Sequence, residues 1–291
     1  MGLEVFTLKS LEKSVSKEMQ RHAIKALENG KVLFFPEMPF KLKQMEKCFL
    51  NPAKTDPKSK NISFDHRTGK VGGSTCQGDE ALRLQEMMKR YADYSRHLMH
   101  ELFPEYIPHM VQARTSYRPV ETAGRQTSYR KDDTRLHVDA FPSSPTKGQR
   151  ILRMFTNVNP HGKPRVWRLG EPFADVVSKM APKVSTPLPG LASLLKMLKI
   201  TKDYRTLYDH YMLHMHDLMK GDLEYQKNVP QMEVKFPPGS TWIVYTDQVS
   251  HAAMSGQFMF TQDWNVPESA LHDQSTSPRR VLEKFLNKTL V

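Results

Sequence analysis

The feature that most constrains the fold is a change in the spacing of apolar residues near residue 108. Upstream, residues 10–29 and 79–102 have apolar side chains at helical spacing, which predicts two amphipathic helices, the first capped by Ser10 and including Leu11. Downstream, a period of two predicts short strands in the runs PHMVQARTSYRPV, TRLHVDAF, RILRMFTNVNP, TWIVYTDQVSHAAM and QFMFTQDWNV. Because these strands do not alternate regularly with helices, they favour an antiparallel barrel or a double-sheet jelly roll with helices packed outside.

The chain shows no internal repeat and no long linker, so we predict a single α+β domain over residues 1–291. A helical N-terminal flank is expected over about residues 1–107, and a helical insertion over about residues 172–225. The flank also contains a predicted short strand, KVLFFP, and a loop-like region at 51–78. The helix at 79–102 is predicted to turn four side chains inward: Leu82, Met88, Tyr91 and Leu98.

Positive charge is concentrated in one part of the chain. The formal net charge is +12, and residues 110–170 contain twelve Lys or Arg against four acidic residues. Seven of these basic residues before Lys163 are arginines, which suit bidentate contacts with phosphate and carboxylate. No zinc-finger spacing, RNP-like strand or basic helical stripe is present, so we expect an anionic ligand or surface and not a nucleic acid.

Other common classes are disfavoured. Cys48 and Cys76 are too few to stabilise a chain of this length by disulfides, so we expect two reduced thiols. No signal peptide and no stretch of about 20 apolar residues is found, which indicates a soluble or peripheral protein.

The predicted insertion contains a basic amphipathic segment, PGLASLLKMLKITK. Its leucines share one helix face and lysines flank that face: Leu191, Leu194, Leu195 and Leu198, with Lys196, Lys199 and Lys202. Such a face either lies on an anionic membrane or packs on the core or a second subunit, and the sequence leaves both open. The C-terminal run SPRRVLEKFLNKTLV repeats the pattern more weakly.

Three residues form a candidate metal site. His137 and Asp139 lie two apart on a predicted strand and therefore on one face, and His251 follows a later strand. Two imidazoles and one carboxylate suit non-haem Fe(II) oxygenase chemistry, although an ordinary ion pair is the alternative. His210 and His214 also have a spacing that zinc accepts, but a solvated helix face explains them as well.

At these residues the sequence resembles the Kdo hydroxylases, iron- and 2-oxoglutarate-dependent dioxygenases of Gram-negative bacteria. The resemblance is strongest over residues 112–175, in ARTSYRPVETAGRQTSYRKDDTRLHVDAFPSSPTKGQRILRMFTNVNPHGKPRVWRLGEPF, and returns in FPPGSTWIVYTDQVSHAAMSGQFMFTQDW. It implies a double-stranded β-helix (jelly-roll) core. It also implies 3-hydroxylation of the 3-deoxy-D-manno-oct-2-ulosonic acid (Kdo) sugar of Kdo-lipid A to Ko, at the cytoplasmic face of the inner membrane.

The resemblance makes His137, Asp139 and His251 the iron ligands, with Fe(II), 2-oxoglutarate and O2 as the reactive set and ascorbate as a candidate reductant. Many relatives have an arginine about ten residues after the distal histidine, but here that region reads Phe260-Thr261-Gln262, with no basic residue. We therefore expect Arg153 to hold 2-oxoglutarate, with Thr261 or Thr156 as hydroxyl partners.

The substrate of this family, Kdo-lipid A, has carboxylate and phosphate groups at an anionic membrane surface. Candidate contacts for it are basic residues and one aromatic residue of the central cluster: Arg118, Arg125, Arg130, Lys131, Arg135, Arg165, Trp167 and Arg168. Two alternatives stay open at this point, namely a dioxygenase acting on another anionic sugar or a nucleic acid, and a non-catalytic cupin-like module that binds anions.

Overall fold

A computed structural model describes residues 2–8, 10, 14–188 and 190–291. The strands within these residues are β1 (Leu3–Val5), β2 (Val32–Phe35), β3 (Ile62–Phe64), β4 (Val71–Gly72), β5 (Val111–Arg118), β6 (Arg150–Asn157), β7 (Arg165–Leu169), β8 (Met232–Phe236), β9 (Thr241–Tyr245), β10 (His251–Ser255) and β11 (Met259–Val266). The α-helices are α1 (Lys17–Glu28), α2 (Gly78–Leu102), α3 (Phe173–Met180), α4 (Leu191–Met197), α5 (Leu207–Gly221), α6 (Leu223–Asn228) and α7 (Pro278–Leu286).

The strands form two sheets that face each other. The major sheet has the order β1-β2-β9-β6-β11-β5-β3-β4, and the minor sheet has the order β10-β7-β8. Aromatic rings join them, since Trp242 of the major sheet stacks on Phe236 of the minor sheet with ring centroids 4.0 Å apart. This arrangement is the predicted jelly-roll core of an α+β protein, and the fold prediction is confirmed.

Alternation along the central strand β6 decides which side chains enter the space between the sheets. Leu152 and Met154 face α1 and α2 and belong to the core on the outer side of the major sheet. Arg153 and Phe155 face the minor sheet, because successive side chains of a strand point to opposite faces. The period of two therefore places one arginine inside the sandwich.

The N-terminal flank contributes more than helices. Strands β1 and β2 extend one edge of the major sheet through β9, and β3 and β4 extend the other through β5. Helix α1 begins at Lys17 and is capped by Ser16, so the predicted cap at Ser10 is wrong; Leu11 lies outside the described residues.

Helix α2 agrees with its prediction except at Leu82. Met88, Tyr91 and Leu98 are buried, but Leu82 is 63% exposed. Leu82 and Tyr91 are nine residues apart, which at 3.6 residues per turn puts them on opposite helix faces.

Helices α3 to α6 follow the minor-sheet strand β7 and precede β8. Side chains of α3, α5 and α7 pack with Leu136 and Val138 in a second core. Helix α4 is different because none of its residues is buried. Among the described residues, no helix has both the length and the apolar character that crossing a bilayer requires.

Candidate metal centre

His137, Asp139 and His251 converge beside the first residue of β10. A ligand atom from each lies within 4.8 Å of the others, and all three residues are buried. His251 begins β10, and a single antiparallel bridge pairs it with His137. The two imidazole centroids are 4.6 Å apart. The three residues predicted to bind iron are thus brought together by one backbone pairing.

Both imidazoles are oriented by the main chain. The Nδ1 atom of His137 lies 2.7 Å from the carbonyl oxygen of Arg135, and that of His251 lies 2.8 Å from the carbonyl oxygen of Val249. Because a carbonyl only accepts, each Nδ1 must donate, which leaves the Nε2 lone pair free for a metal. Burial lowers the pKa of His137 to about 3 and also lowers the pKa of His251, so both rings are neutral, the form in which imidazole binds a metal.

Asp139 is held as a carboxylate. Burial opposes its ionisation, but the Arg153 guanidinium, 2.7 Å from its Oδ2, and the two histidines lower its pKa well below the usual range. Its backbone N–H donates to the Thr246 carbonyl at 2.7 Å. The run TRLHVDAF is not the predicted strand, since its pairing is limited to the bridge at His137, yet local alternation still turns Val138 away into the second core.

The three candidate ligand residues line a cavity of about 250 Å³. Its wall holds four cations and two carboxylates together with aromatic and small residues: Lys60, Asn61, Arg118, Asp133, His137, Asp139, Phe141, Arg153, Phe155, Arg165, Trp167, His251, Ala253 and Met259. Four buried donors of this wall have no hydrogen-bond partner among the described residues: Nε of Arg118, Nε of Arg153, Nε of Arg165 and Nε1 of Trp167. Such orphaned donors are costly unless a ligand accepts from them, so the wall fits a bound anion.

Arg153, the residue expected to hold 2-oxoglutarate, lines the cavity, but two carboxylates already contact it. Its Nε is 3.0 Å from Oδ1 of Asp263, its direct neighbour on β11, and its Nη1 pairs with Asp139. The proposed hydroxyl partner Thr156 is on the opposite face of β6, where its Oγ1 contacts Tyr91 and Thr241, because a spacing of three residues reverses the face. Thr156 therefore does not share the cavity with Arg153, and the prediction that Thr156 is its hydroxyl partner is wrong.

Thr261 is on the same face of β11 as Met259 and Asp263. It lies opposite Phe155 in the sheet, and its buried Oγ1 has no hydrogen-bond partner among the described residues. Its hydroxyl is therefore free to bond with a group between the sheets.

The predicted substrate contacts separate into two groups. Arg118, Arg165 and Trp167 line the cavity. The others do not: Arg125 and Lys131 are exposed, Arg130 pairs with Asp217, Arg135 pairs with Asp132, and Arg168 points outward from β7. The Trp167 ring stacks on His251 with centroids 5.0 Å apart, which leaves it beside the metal ligands and not at the cavity mouth.

Sequence reasoning missed two neighbours of the centre. Lys60 reaches the cavity from the loop before β3, where no periodicity could have placed it. His216 on α5 lies edge-on to His137, with ring centroids 5.3 Å apart.

The alternative zinc site on α5 lacks a third residue. His210 and His214 have rings 4.2 Å apart but belong to no group of three metal-ligand residues among the described residues.

A jelly-roll core with two histidines and one aspartate facing a cationic cavity defines the class, a non-haem Fe(II)- and 2-oxoglutarate-dependent dioxygenase. The sequence profile of the family described as 3-deoxy-D-manno-oct-2-ulosonic acid (Kdo) hydroxylase matches residues 10–289. The chain belongs to this family.

Solved structures of a Kdo hydroxylase agree with that assignment. The chain is 50% identical to KdoO, a non-haem Fe(II) α-ketoglutarate-dependent dioxygenase, in complex with α-ketoglutarate and Fe(III); the TM-score is 0.96, with 100% of this chain and 98% of that chain covered. The cobalt(II) complex of KdoO gives 50% identity and a TM-score of 0.97, with 99% and 97% covered. No curated protein gives a significant match. The family assignment excludes the non-catalytic binding module as the class of this chain.

Proposed function

We propose that this protein hydroxylates the Kdo sugar of Kdo-lipid A to Ko, using Fe(II), 2-oxoglutarate and O2. The observation that carries the proposal is the oriented cluster of His137, Asp139 and His251, which opens onto a cavity with unpartnered cationic donors. Iron and 2-oxoglutarate supply the oxidising chemistry: O2 is activated, 2-oxoglutarate is converted to succinate and CO2, and one oxygen atom enters the sugar.

The residues that fit 2-oxoglutarate are Arg118, Arg153, Arg165 and Trp167. Each lines the cavity, and each has a buried N–H group with no hydrogen-bond partner among the described residues. Arg165 is 1% exposed, and its Nη1 donates to Thr122 Oγ1 and to the Gly256 carbonyl, both at 2.6 Å. Those bonds fix the guanidinium while leaving Nε for a carboxylate. Arg153 contributes mainly by holding Asp139. The Thr261 hydroxyl stays a candidate hydrogen-bond partner of 2-oxoglutarate.

The charge of the cavity fits two anionic molecules at once. Four cations face two carboxylates in the wall, and a divalent metal adds two positive charges. A dianionic co-substrate cancels only part of this excess, so an acidic sugar is favoured as the second occupant. Our candidates for contacts with the lipid phosphates are three exposed residues that precede His137 in the chain: Arg125, Arg130 and Lys131. Arg135 and Arg168 are further candidates for the same contacts.

Mass spectrometry of Kdo-lipid A tests the proposal directly. After incubation with the Fe(II)-loaded protein, 2-oxoglutarate and O2, we expect the lipid to gain one oxygen atom on the Kdo sugar, with one succinate formed per oxygen added. Omission of 2-oxoglutarate is the control and should give unchanged lipid. Succinate formation with unchanged lipid would reject Kdo-lipid A as the substrate.

We also propose that the protein works as a peripheral protein on the anionic cytoplasmic face of the bacterial inner membrane. Its described surface has a cluster of exposed apolar residues around α4, with lysines nearby: Leu188, Leu194, Met197, Leu198, Ile200 and Tyr204, with Lys199 and Lys202. Side chains that are 46% to 72% exposed are costly in water and stable in a lipid interface.

Vesicle binding is expected to depend on this apolar cluster. Replacing Leu194, Met197 and Leu198 together by Ser should weaken binding to phosphatidylglycerol-containing vesicles by about tenfold or more, because each side chain loses apolar contact area. Matched controls are Met45, Leu82 and Leu223, which are 63% to 65% exposed elsewhere, each replaced by Ser. Equal binding by both triple variants in a sedimentation assay would contradict the membrane assignment of this cluster.

A further inference from the structure

An ion pair that the iron chemistry does not use stands in the wall of the cavity. Nζ of Lys60 lies 2.5 Å from Oδ2 of Asp133. Lys60 comes from the loop before β3 in the N-terminal flank, whereas Asp133 comes from the segment that leads to His137. The pair therefore joins two distant parts of the chain at the site.

Lys60 is the most accessible cation of this wall. Its side chain is 42% exposed, compared with 17% for Arg118 and 13% for Arg153, and Arg165 is 1% exposed as a residue. The Lys60 side chain as a whole is thus nearer to solvent than the three guanidinium groups of the wall.

The surroundings of Lys60 leave its charge only partly compensated. Asp133 is shared with Arg118, whose Nη1 is 3.8 Å from the same oxygen. Burial lowers the pKa of Lys60, and Asp133 acts in the opposite direction. A carboxylate from a ligand would therefore be more strongly attracted here than at a fully solvated lysine.

We propose that Lys60 binds the carboxylate of the acidic sugar substrate, and that Asp133 holds the Lys60 ammonium group in the cavity wall. This assignment rests on the proposed function, because it takes the second occupant of the cavity to be a sugar acid. Lysine suits the role since its three N–H donors rotate, so one can stay on Asp133 while another reaches a ligand. The residue then selects acidic sugars over neutral ones.

The test compares Lys60→Met with two other variants. Methionine keeps the length of the side chain and removes the charge, Lys60→Arg restores a cation, and Lys58→Met alters an exposed lysine of the same loop that does not line the cavity. With Kdo-lipid A in detergent micelles, Lys60→Met should raise the KM for the lipid by about tenfold to a hundredfold. The KM for 2-oxoglutarate should not change, and succinate formation should exceed sugar hydroxylation.

Binding and substrate chemistry provide independent measurements. Calorimetric binding of Kdo-lipid A to the iron-free protein should weaken by a similar factor in Lys60→Met. A lipid whose sugar carboxylate has been converted to an amide should bind wild type and Lys60→Met equally. If Asp133 acts through Lys60, adding Asp133→Asn to Lys60→Met should cost little more than Lys60→Met alone.

The kinetic results distinguish the proposed role of Lys60 from the alternatives. A matching rise in the KM for 2-oxoglutarate would place Lys60 at the co-substrate, and an unchanged KM for both substrates would make it a surface charge; either result overturns the assignment. A wild type that forms succinate but does not hydroxylate Kdo-lipid A rejects the proposed substrate and this assignment with it. Normal wild-type hydroxylation with an unaffected Lys60→Met rejects the assignment alone. Recovery in Lys60→Arg and normal kinetics in Lys58→Met are the supporting results.

Discussion

His137→Ala will abolish 2-oxoglutarate turnover, with a fall of about a thousandfold or more. The variant removes one of three ligands, and a bound metal supplies several kcal/mol of stabilisation at about 1.4 kcal/mol per factor of ten. Under anaerobic conditions, Fe(II) and 2-oxoglutarate should give wild type a visible charge-transfer band that the variant lacks. This measurement reports the metal centre without needing the sugar substrate.

The control for this experiment is His214→Ala. His214 is partly buried on α5 next to His210 and does not line the cavity, so we expect the band and the turnover to be retained. Far-ultraviolet circular dichroism checks that both variants fold. A band of equal intensity in His137→Ala and wild type would show that iron binds elsewhere.

Arg165→Met will raise the KM for 2-oxoglutarate by about a hundredfold, because truncating one partner of a buried charged contact costs several kcal/mol. Iron affinity should change little, since Arg165 is not among the residues that form the ligand cluster. Arg165→Lys should be intermediate because it keeps the charge but loses the planar fork. Steady-state kinetics with varied 2-oxoglutarate, together with iron titration, measure both quantities.

Arg168→Met is the matched control, because Arg168 is on the same strand but faces solvent. Its kinetics with varied 2-oxoglutarate should equal those of wild type. Arg165 also bonds Thr122 and Gly256, so its loss will lower the melting temperature. A lowered melting temperature with an unchanged KM for 2-oxoglutarate would mean that Arg165 only supports the structure.

The resemblance led to Arg153 and Thr156, whereas strand periodicity decides whether the two can face the same space. The period of two in RILRMFTN puts Arg153 on the face opposite Thr156, but both faces carry apolar residues, so the structure is needed to show that the Arg153 face lies inside the sandwich. The hydroxyl pairing was wrong because it used closeness in sequence, although a strand separates residues three apart onto opposite faces. That Arg153 and Thr156 lie on opposite faces of their strand could have been predicted from their spacing.

Tertiary placement of short, irregular segments could not be predicted in the same way. Strands β3 and β4 have three and two residues, too few to show a period, and they are ordered by pairing with β5 and with each other. Lys60 precedes β3, so its arrival at the cavity depends on that pairing and not on a local pattern. Likewise, His137 is positioned by one bridge to His251 and not by a regular strand.

The bonds from the two imidazoles to Arg135 and Val249 carbonyls have a consequence for how the site tolerates mutation. In many metal sites a side-chain carboxylate orients the ligand histidine, so one substitution can release the ring. Here each acceptor is a peptide oxygen two residues upstream of its own histidine, and every residue type at position 135 or 249 supplies one. The tautomer of both histidines is thus set by backbone carbonyl groups and not by a neighbouring side chain. Sequence drift around the site can change its specificity while the metal-ready orientation is retained.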